Sequence, residues 1–296
     1  MKRVIAILIN GFVMIALSTA NPQGQPLFSF ALITDIHYAE LPPEGGRFYE
    51  KSLNKLRASL SQISEMAPEF IINMGDMAEE SMNYSTSVTN LFDEYDIKVY
   101  HTPGNHDYYF GRSGVRRIIA LTRSDNGYYS FDLNGFRLIF LNGNDMAPYS
   151  PFIRERREGA RLLESMMEEG AVNAREYNGA ISDNQLRWLD EELESSYIEG
   201  LKVLIFCHFP VYPSGKYNLL NSESVLSVIE RHNNVVAWFN GHNHGGGYGN
   251  HNMVHFITMR GMVESETLPA WALVEVYSNR LWIHGQGRER SQIVAY

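Results

Sequence analysis

Apolar residues occur in short blocks along the chain, and several blocks end abruptly in polar or acidic residues. Residues 28–33 form one such block, stopped by Thr34 and Asp35, which predicts a buried strand that delivers polar side chains at its C-terminal end. Leu53, Leu56, Leu60 and Ile63 then recur at helical spacing, so an amphipathic helix is expected over 50–66, ended near Pro68. The unit repeats with a strand over 70–74 ending in Gly75 and Asp76, a helix over 86–95, and a strand over 97–101 that runs into Pro103-Gly104-Asn105-His106-Asp107. Asn134-Gly135 between the apolar stretches 128–133 and 136–141 is a strong hairpin signal, and it marks a change to antiparallel strands.

From 142 to 180 the periodicity lapses, apart from a helix around 156–167, so an insertion around 143–181 is expected, either over the strand ends or peripheral. Ser182 or Asp183 then caps a helix presenting Leu186, Leu189 and Leu193, followed by a strand over 203–206 and a helix over 222–232. A strand over 235–239 leads into Asn240-Gly241-His242-Asn243-His244, and short strands over 254–258, 272–277 and 281–284 close the chain. With no internal repeat and no second stretch carrying its own core, residues 27–296 read as one mixed α/β domain.

Residues 1–26 read as a leader and linker. Lys2 and Arg3 precede an apolar run over 4–17, and Ser18-Thr19-Ala20 offers the small residues of a cleavage site. Export to a periplasm or the outside is expected, with membrane anchoring if the leader is kept, and no stable membrane span once it is removed. The 296 residues, 44% of them hydrophobic, are ample for a core, and the net charge of -9 argues against a nucleic-acid polymer as partner. Cys207 is the single cysteine, so no internal disulfide forms.

The candidate chemistry lies just past the predicted strands, in Asp35-Ile36-His37, Gly75-Asp76, Gly104-Asn105-His106-Asp107, His208 and Gly241-His242-Asn243-His244. Five of the ten histidines fall there. Singly, each cluster has an ordinary structural reading as a turn or a hydrogen-bonded loop. Together they hold what a pair of close cations requires: anionic carboxylates, neutral imidazoles, and one carboxylate able to bridge, for which Asp76 is the natural choice. Carboxylate, amide and imidazole without thiolate suits manganese, iron, zinc, cobalt or nickel and does not choose among them. Cys207 precedes His208 inside a strand and is expected in the core.

In order and placement these clusters resemble the calcineurin-like metallophosphoesterases, over nearly the whole chain after the leader. The resemblance implies a four-layer α/β sandwich, two mixed β-sheets packed together and flanked by helices. It implies two divalent metal ions, manganese foremost with iron or zinc as alternatives. One ion would sit on Asp35, His37, Asp76 and His244, the other on Asp76, Asn105, His208 and His242. His106 would contact the phosphate or the leaving oxygen, with Asp107 orienting its ring. Within the superfamily the chain looks most like the manganese-dependent ADP-ribose and CDP-alcohol diphosphatases, through residues 28–39, 181–193, His208-Phe209-Pro210, 241–248 and 258–265. Vertebrate members of that group have Gln where this chain has His37, which leaves metal preference and substrate open.

The implied reaction is attack of a metal-held hydroxide on phosphorus of a small nucleotide-derived diphosphate, with the 143–181 insertion on the substrate side. The alternatives are a broader phosphomonoesterase or phosphodiesterase of the same fold, and a noncatalytic metal-stabilised scaffold; the complete ligand set speaks against the last. Tyr38, Tyr84, Tyr108, Tyr109, Tyr212, Tyr217 and Tyr248 lie near the motifs as candidates for base or sugar contacts, with packing as the rival role. Arg260 is a candidate phosphate donor or a surface ion-pair partner.

Overall fold

The computed structural model of the chain describes residues 24–296. The expected apolar leader and its cleavage site fall on residues 1–23, outside the described residues. The chain begins with β1 (Phe28–Ile33), α1 (Tyr49–Met66), β2 (Phe70–Asn73), α2 (Met82–Asp93), β3 (Val99–His101) and α3 (Gly111–Leu121). The hairpin β4 (Tyr129–Leu133) and β5 (Phe136–Phe140) follows, then α4 (Ile153–Glu168), α5 (Asp183–Ile198), β6 (Lys202–Phe206), α6 (Ser222–Ile229) and β7 (Val235–Asn240). The chain closes with β8 (Gly245–His251), β9 (Val254–Arg260), β10 (Ala270–Val276), β11 (Arg280–Gly287) and β12 (Gln292–Ala295).

The strands make two six-stranded sheets, ordered β12-β11-β10-β1-β2-β3 and β4-β5-β6-β7-β9-β8. Both are mixed. β1, β2 and β3 run parallel, as do β5, β6, β7 and β9, while the remaining pairings are antiparallel. The inner faces meet in a core rich in phenylalanine: Phe28, Phe30, Phe70, Phe136, Phe140, Phe206 and Phe239. Phe30 and Phe70 stack within the first sheet at 5.6 Å, and Phe30 meets Phe206 of the second edge-on at 5.7 Å. Each such buried ring contributes about 2 kcal/mol of hydrophobic stabilisation.

The outer face of the first sheet is covered by Leu56, Leu60 and Ile63 of α1, Val88 and Leu91 of α2, and Ile118 of α3. Leu189 and Leu193 of α5 with Val225 and Ile229 of α6 cover the second, in a cluster that also takes in Cys207. Helix, sheet, sheet, helix is the four-layer sandwich the resemblance implies. Helix α2 starts earlier than the apolar spacing suggests because Ser81 caps it, its hydroxyl accepting from the Asn83 N–H at 3.2 Å. Between β5 and α5, Leu163 of α4 packs with Ala174, Ala180 and Leu220 in a small satellite cluster. Among the described residues no helix is long and apolar enough to cross a membrane.

Candidate metal centre

The parallel strands of both sheets end on one side of the molecule, and each hands over its polar residues there. Asp35 and His37 follow β1, Asp76 follows β2, Asn105 and His106 follow β3, His208 follows β6, and His242 and His244 follow β7. Four of these residues, Asp35, His37, Asp76 and His242, have left-handed backbones, with φ of 51°, 46°, 53° and 62°. That conformation is costly for a residue with a side chain and is sustained by its surroundings. Here the turns are zipped together by Asp35 N–H to Gly75 O at 3.1 Å and His37 N–H to Asp76 O at 2.9 Å.

The motif glycines are needed for close approach. A Cβ on Gly75 would lie 2.4 Å from the Gly104 nitrogen, and one on Gly104 would lie 2.1 Å from Asp76 Oδ1. A side chain at Gly104 would push Asp76 out of place, and one at Gly75 would press on the Gly104 backbone and the His208 ring.

Two groups of donors converge, Asp35 with His37 and His244, and Asp76 with His208 and His242, each group with its donor atoms within 4.8 Å of one another. Within the first, His37 Nε2 and His244 Nε2 are 3.2 Å apart, and Asp35 Oδ1 is 3.2 Å from His244 Nε2. Asp76 Oδ2 lies between the groups, 3.5 Å from His37 Nε2 and 3.2 Å from His208 Nε2. His208 Nε2, despite that approach, makes no hydrogen bond, and neither does the buried Asn105 Oδ1. Buried polar atoms are rarely left without a partner, so these two orphaned atoms fit ligands of a bound cation, which would take the place of any proton on His208 Nε2.

Acceptors behind the rings aim them. His37 Nδ1 is 2.7 Å from Glu79 Oε1, His244 Nδ1 is 2.9 Å from Glu264 Oε1, and His208 Nδ1 is 2.7 Å from Met74 O. A carboxylate or carbonyl only accepts, so each Nδ1 carries a proton and each ring turns Nε2 inward. His242 is held by the other nitrogen, Nε2, at 3.0 Å from Asn178 Oδ1.

Burial raises Asp76 and Asp35, but the surrounding imidazoles outweigh it and hold both carboxyls far below the usual range. Reciprocally, burial would lower His37 and His208, yet the carboxylates push them up to about 10 and about 9. Burial, with His208 adding to it, drives His242 well below the ordinary imidazole value.

His106 stands beside this centre, its ring 4.7 Å from that of His37. Its Nδ1 is 2.7 Å from Glu79 Oε2, so one carboxylate serves both rings, and the pair of histidines holds Glu79 down to about 2 against the effect of burial. The expected partner, Asp107, is engaged elsewhere. Its carboxylate accepts the backbone N–H groups of Gly104 and Asp76 at 2.9 and 3.0 Å and of Met77 at 3.3 Å, tying the β2 and β3 loops together. The ring of His106 is therefore oriented by Glu79, and Asp107 organises the loop beneath it.

Of the seven tyrosines near the motifs, Tyr109 and Tyr217 reach the centre, their rings 5.2 Å from His106 and 5.8 Å from His242. Tyr149 and Tyr177, which no motif marks, join them. Tyr38 packs on Tyr84, Tyr108 is buried against Asn142, Tyr212 packs on His251 and Phe256, and Tyr248 bonds His255. Arg260 donates to Arg288 O at 2.7 Å. Cys207 is buried, which pushes its thiol up to about 12. Arg47 was unmarked by the sequence and lies at the rim, 3.9 Å from both Glu79 and Glu264.

Residues 28–246 match the calcineurin-like phosphoesterase family. The manganese-dependent ADP-ribose/CDP-alcohol diphosphatase of Mus musculus is 29% identical, over 94% of this chain and 96% of its own length. Its counterpart from Arabidopsis thaliana is 27% identical, over 90% and 96%. The crystal structure of a dimetal phosphatase from Danio rerio superposes with a TM-score of 0.85 at 26% identity, covering 92% of this chain and all of that one. A two-metal phosphohydrolase centre at the strand ends of a double sheet, in a chain that matches the family from β1 to β8, has one classification: this protein belongs to the calcineurin-like phosphoesterase family.

Proposed function

We propose that the centre hydrolyses a nucleoside-diphosphate-linked small molecule of the ADP-ribose or CDP-alcohol type, giving a nucleoside monophosphate and a second phosphomonoester. The observation that carries this reading is the full donor set gathered at the strand ends of a chain whose relatives, matched over almost their whole length, are diphosphatases for such substrates. Tyr109, Tyr149, Tyr177 and Tyr217 beside the centre supply aromatic faces suited to a base or sugar.

In this reading Asp35, His37, Asp76 and His244 hold one ion and Asp76, Asn105, His208 and His242 the other. When bound, the ions supply charge neutralisation at phosphorus and an activated water. The remaining work falls to the chain. His106, pinned at Nδ1 by Glu79, presents Nε2 and donates a proton there to the departing oxygen; the Glu79 carboxylate stabilises the charged ring before transfer. Asp107 keeps Asp76 and the 104–107 loop in register. The 143–181 excursion brings Tyr149, Tyr177 and Asn178 to the substrate side.

The test is product analysis of metal-depleted enzyme repleted with manganese and given ADP-ribose, CDP-choline and a generic phosphomonoester. Release of a nucleoside monophosphate from either diphosphate without free phosphate is expected. Turnover confined to the monoester would reassign the chain to the broader phosphatases. Export is proposed on the basis of the charged and apolar leader; N-terminal sequencing of the protein from its native cells, with a start near Asn21, is the corresponding check.

A further inference from the structure

We propose that Asn178 is a positioning residue that fixes the ring tautomer of His242 and thereby the retention of the second metal ion, an inference that rests on the two-ion reading above. Three of the ligand histidines present Nε2 to the centre because an acceptor holds Nδ1. His242 is the reverse. Its Nε2 faces Asn178 Oδ1 at 3.0 Å, and its other ring neighbours are aromatic: Phe209 at 4.6 Å, His208 at 5.1 Å, and Tyr177 and Tyr217 at 5.8 Å.

Which end of the Asn178 amide meets the ring is settled by its other bonds. Asn178 is fully buried, and its Nδ2 donates to Asn173 O at 2.9 Å and to Lys216 O at 2.9 Å. Both amide hydrogens have carbonyl acceptors, so the oxygen is the atom turned to His242, and an amide oxygen only accepts. The proton of His242 therefore resides on Nε2, and the lone pair on Nδ1 is left to bind. With the proton on Nδ1 instead, the ring would lose its bond to Asn178 and its ligating lone pair together.

The same amide joins three distant stretches of chain: the excursion at Asn173 and Asn178, the loop at Lys216, and the end of β7 at His242. Through it the 143–181 excursion helps to hold a metal ligand as well as flank the substrate. A purely structural cross-link between Asn173 and Lys216 would depend on the Nδ2 donors. The positioning role depends on Oδ1, and two substitutions separate them. Asn178→Asp keeps an acceptor toward His242 and loses both donors; Asn178→Leu loses everything.

The experiment is manganese titration of the metal-depleted full chain by calorimetry, with metal content measured after desalting, alongside ¹⁵N-histidine NMR of the metal-free protein. Wild type is expected to bind two ions and to show His242 protonated at Nε2. N178D is expected to keep both ions, while N178L binds one as wild type does and the other about 10- to 100-fold more weakly, the usual penalty for losing a partner behind a ligand. Equal loss of the second ion in N178D and N178L, retention of both ions at wild-type affinity in N178L, or an Nδ1-protonated His242 in wild type would each overturn the proposal. If N178L fails to fold, the wild-type tautomer still tests the proposal, because an Nδ1-protonated ring overturns it. A wild-type chain that binds a single ion refutes the two-ion reading, and the tautomer still reports separately on Asn178.

Discussion

Glu79 divides its two oxygens between His37 and His106, each at 2.7 Å. A glutamine in its place has one acceptor and one donor, so it can serve a single ring, and it removes the negative charge that stabilises a protonated His106. Glu79→Gln (E79Q) is expected to lower kcat about 100-fold, and His106→Ala (H106A) by a similar factor, in the range for loss of a general acid. Because the two residues act as a unit, the double variant should be little worse than H106A, whereas independent roles would multiply the losses; steady-state kinetics on the three purified variants decides between these. Asp35, His37, Asp76, Asn105, His208, His242 and His244 were legible because each stands in a short motif just past an apolar block. Glu79, Glu264 and Asn178 were harder to see because their roles exist only after folding. They meet their histidines across 42, 20 and 64 residues of chain, and in isolation each is an ordinary polar residue. Only Glu79 carried a local sign, three residues after Asp76, and the sequence reading gave its work to Asp107, which lies next to His106 in the chain but turns its carboxylate to backbone N–H groups.

At the scale of elements, hydrophobic blocks gave the parallel strands almost residue for residue, since a strand buried on both faces reads as an unbroken apolar run. The short last strand, β12, is not announced by its four residues, and two further elements, α3 and β8, have compositions that argue against their structure. Helix α3 opens on Gly111 and contains Gly114, and β8 is Gly-Gly-Gly-Tyr-Gly-Asn-His on a sheet edge. Both are stabilised by tertiary contacts rather than by propensity: Ile118 of α3 is buried with Leu56 and Leu60 of α1 and Val88 and Leu91 of α2, and β8 pairs along β9. Local preference is also violated at the end of α1, where Ala67 takes the left-handed cap conformation, φ 49° and ψ 54°, that glycine adopts without strain. Ala67→Gly (A67G) should therefore stabilise the protein by about 0.5–1 kcal/mol, the relief of strain exceeding the added freedom of the unfolded chain. Thermal unfolding should show a rise of about 1–3 °C at unchanged activity; an unchanged or lower Tm would mean that the cap carries no such strain.

The molecule as a whole brings two sheets together so that carboxylates and imidazoles from five strand ends share one crevice, and their mutual charges set how the ions bind. In the chain by itself, Asp35, Asp76 and Glu79 draw protons onto His37 and His208, raising them to about 10 and about 9. A histidine raised in the folded state contributes stability that is fully present below its unfolded value near 6.5 and is lost as pH climbs through the folded value. The metal-free protein should thus weaken between about pH 6.5 and pH 10 as this internal neutralisation disappears. Bound cations take over the same role and require the imidazoles in their neutral form, so manganese uptake at pH 7.5 must expel the protons, about two per chain. Calorimetry in buffers of differing ionisation enthalpy measures that number directly, and apparent manganese affinity should rise with pH across the same window. Saturation at about 100 times Kd should add roughly 2.7 kcal/mol to stability, with chelation reversing it. If manganese bound with no proton release, His37 and His208 would have to be neutral in the metal-free protein, and the carboxylates of the centre would need another source of compensation than the histidines the fold places against them.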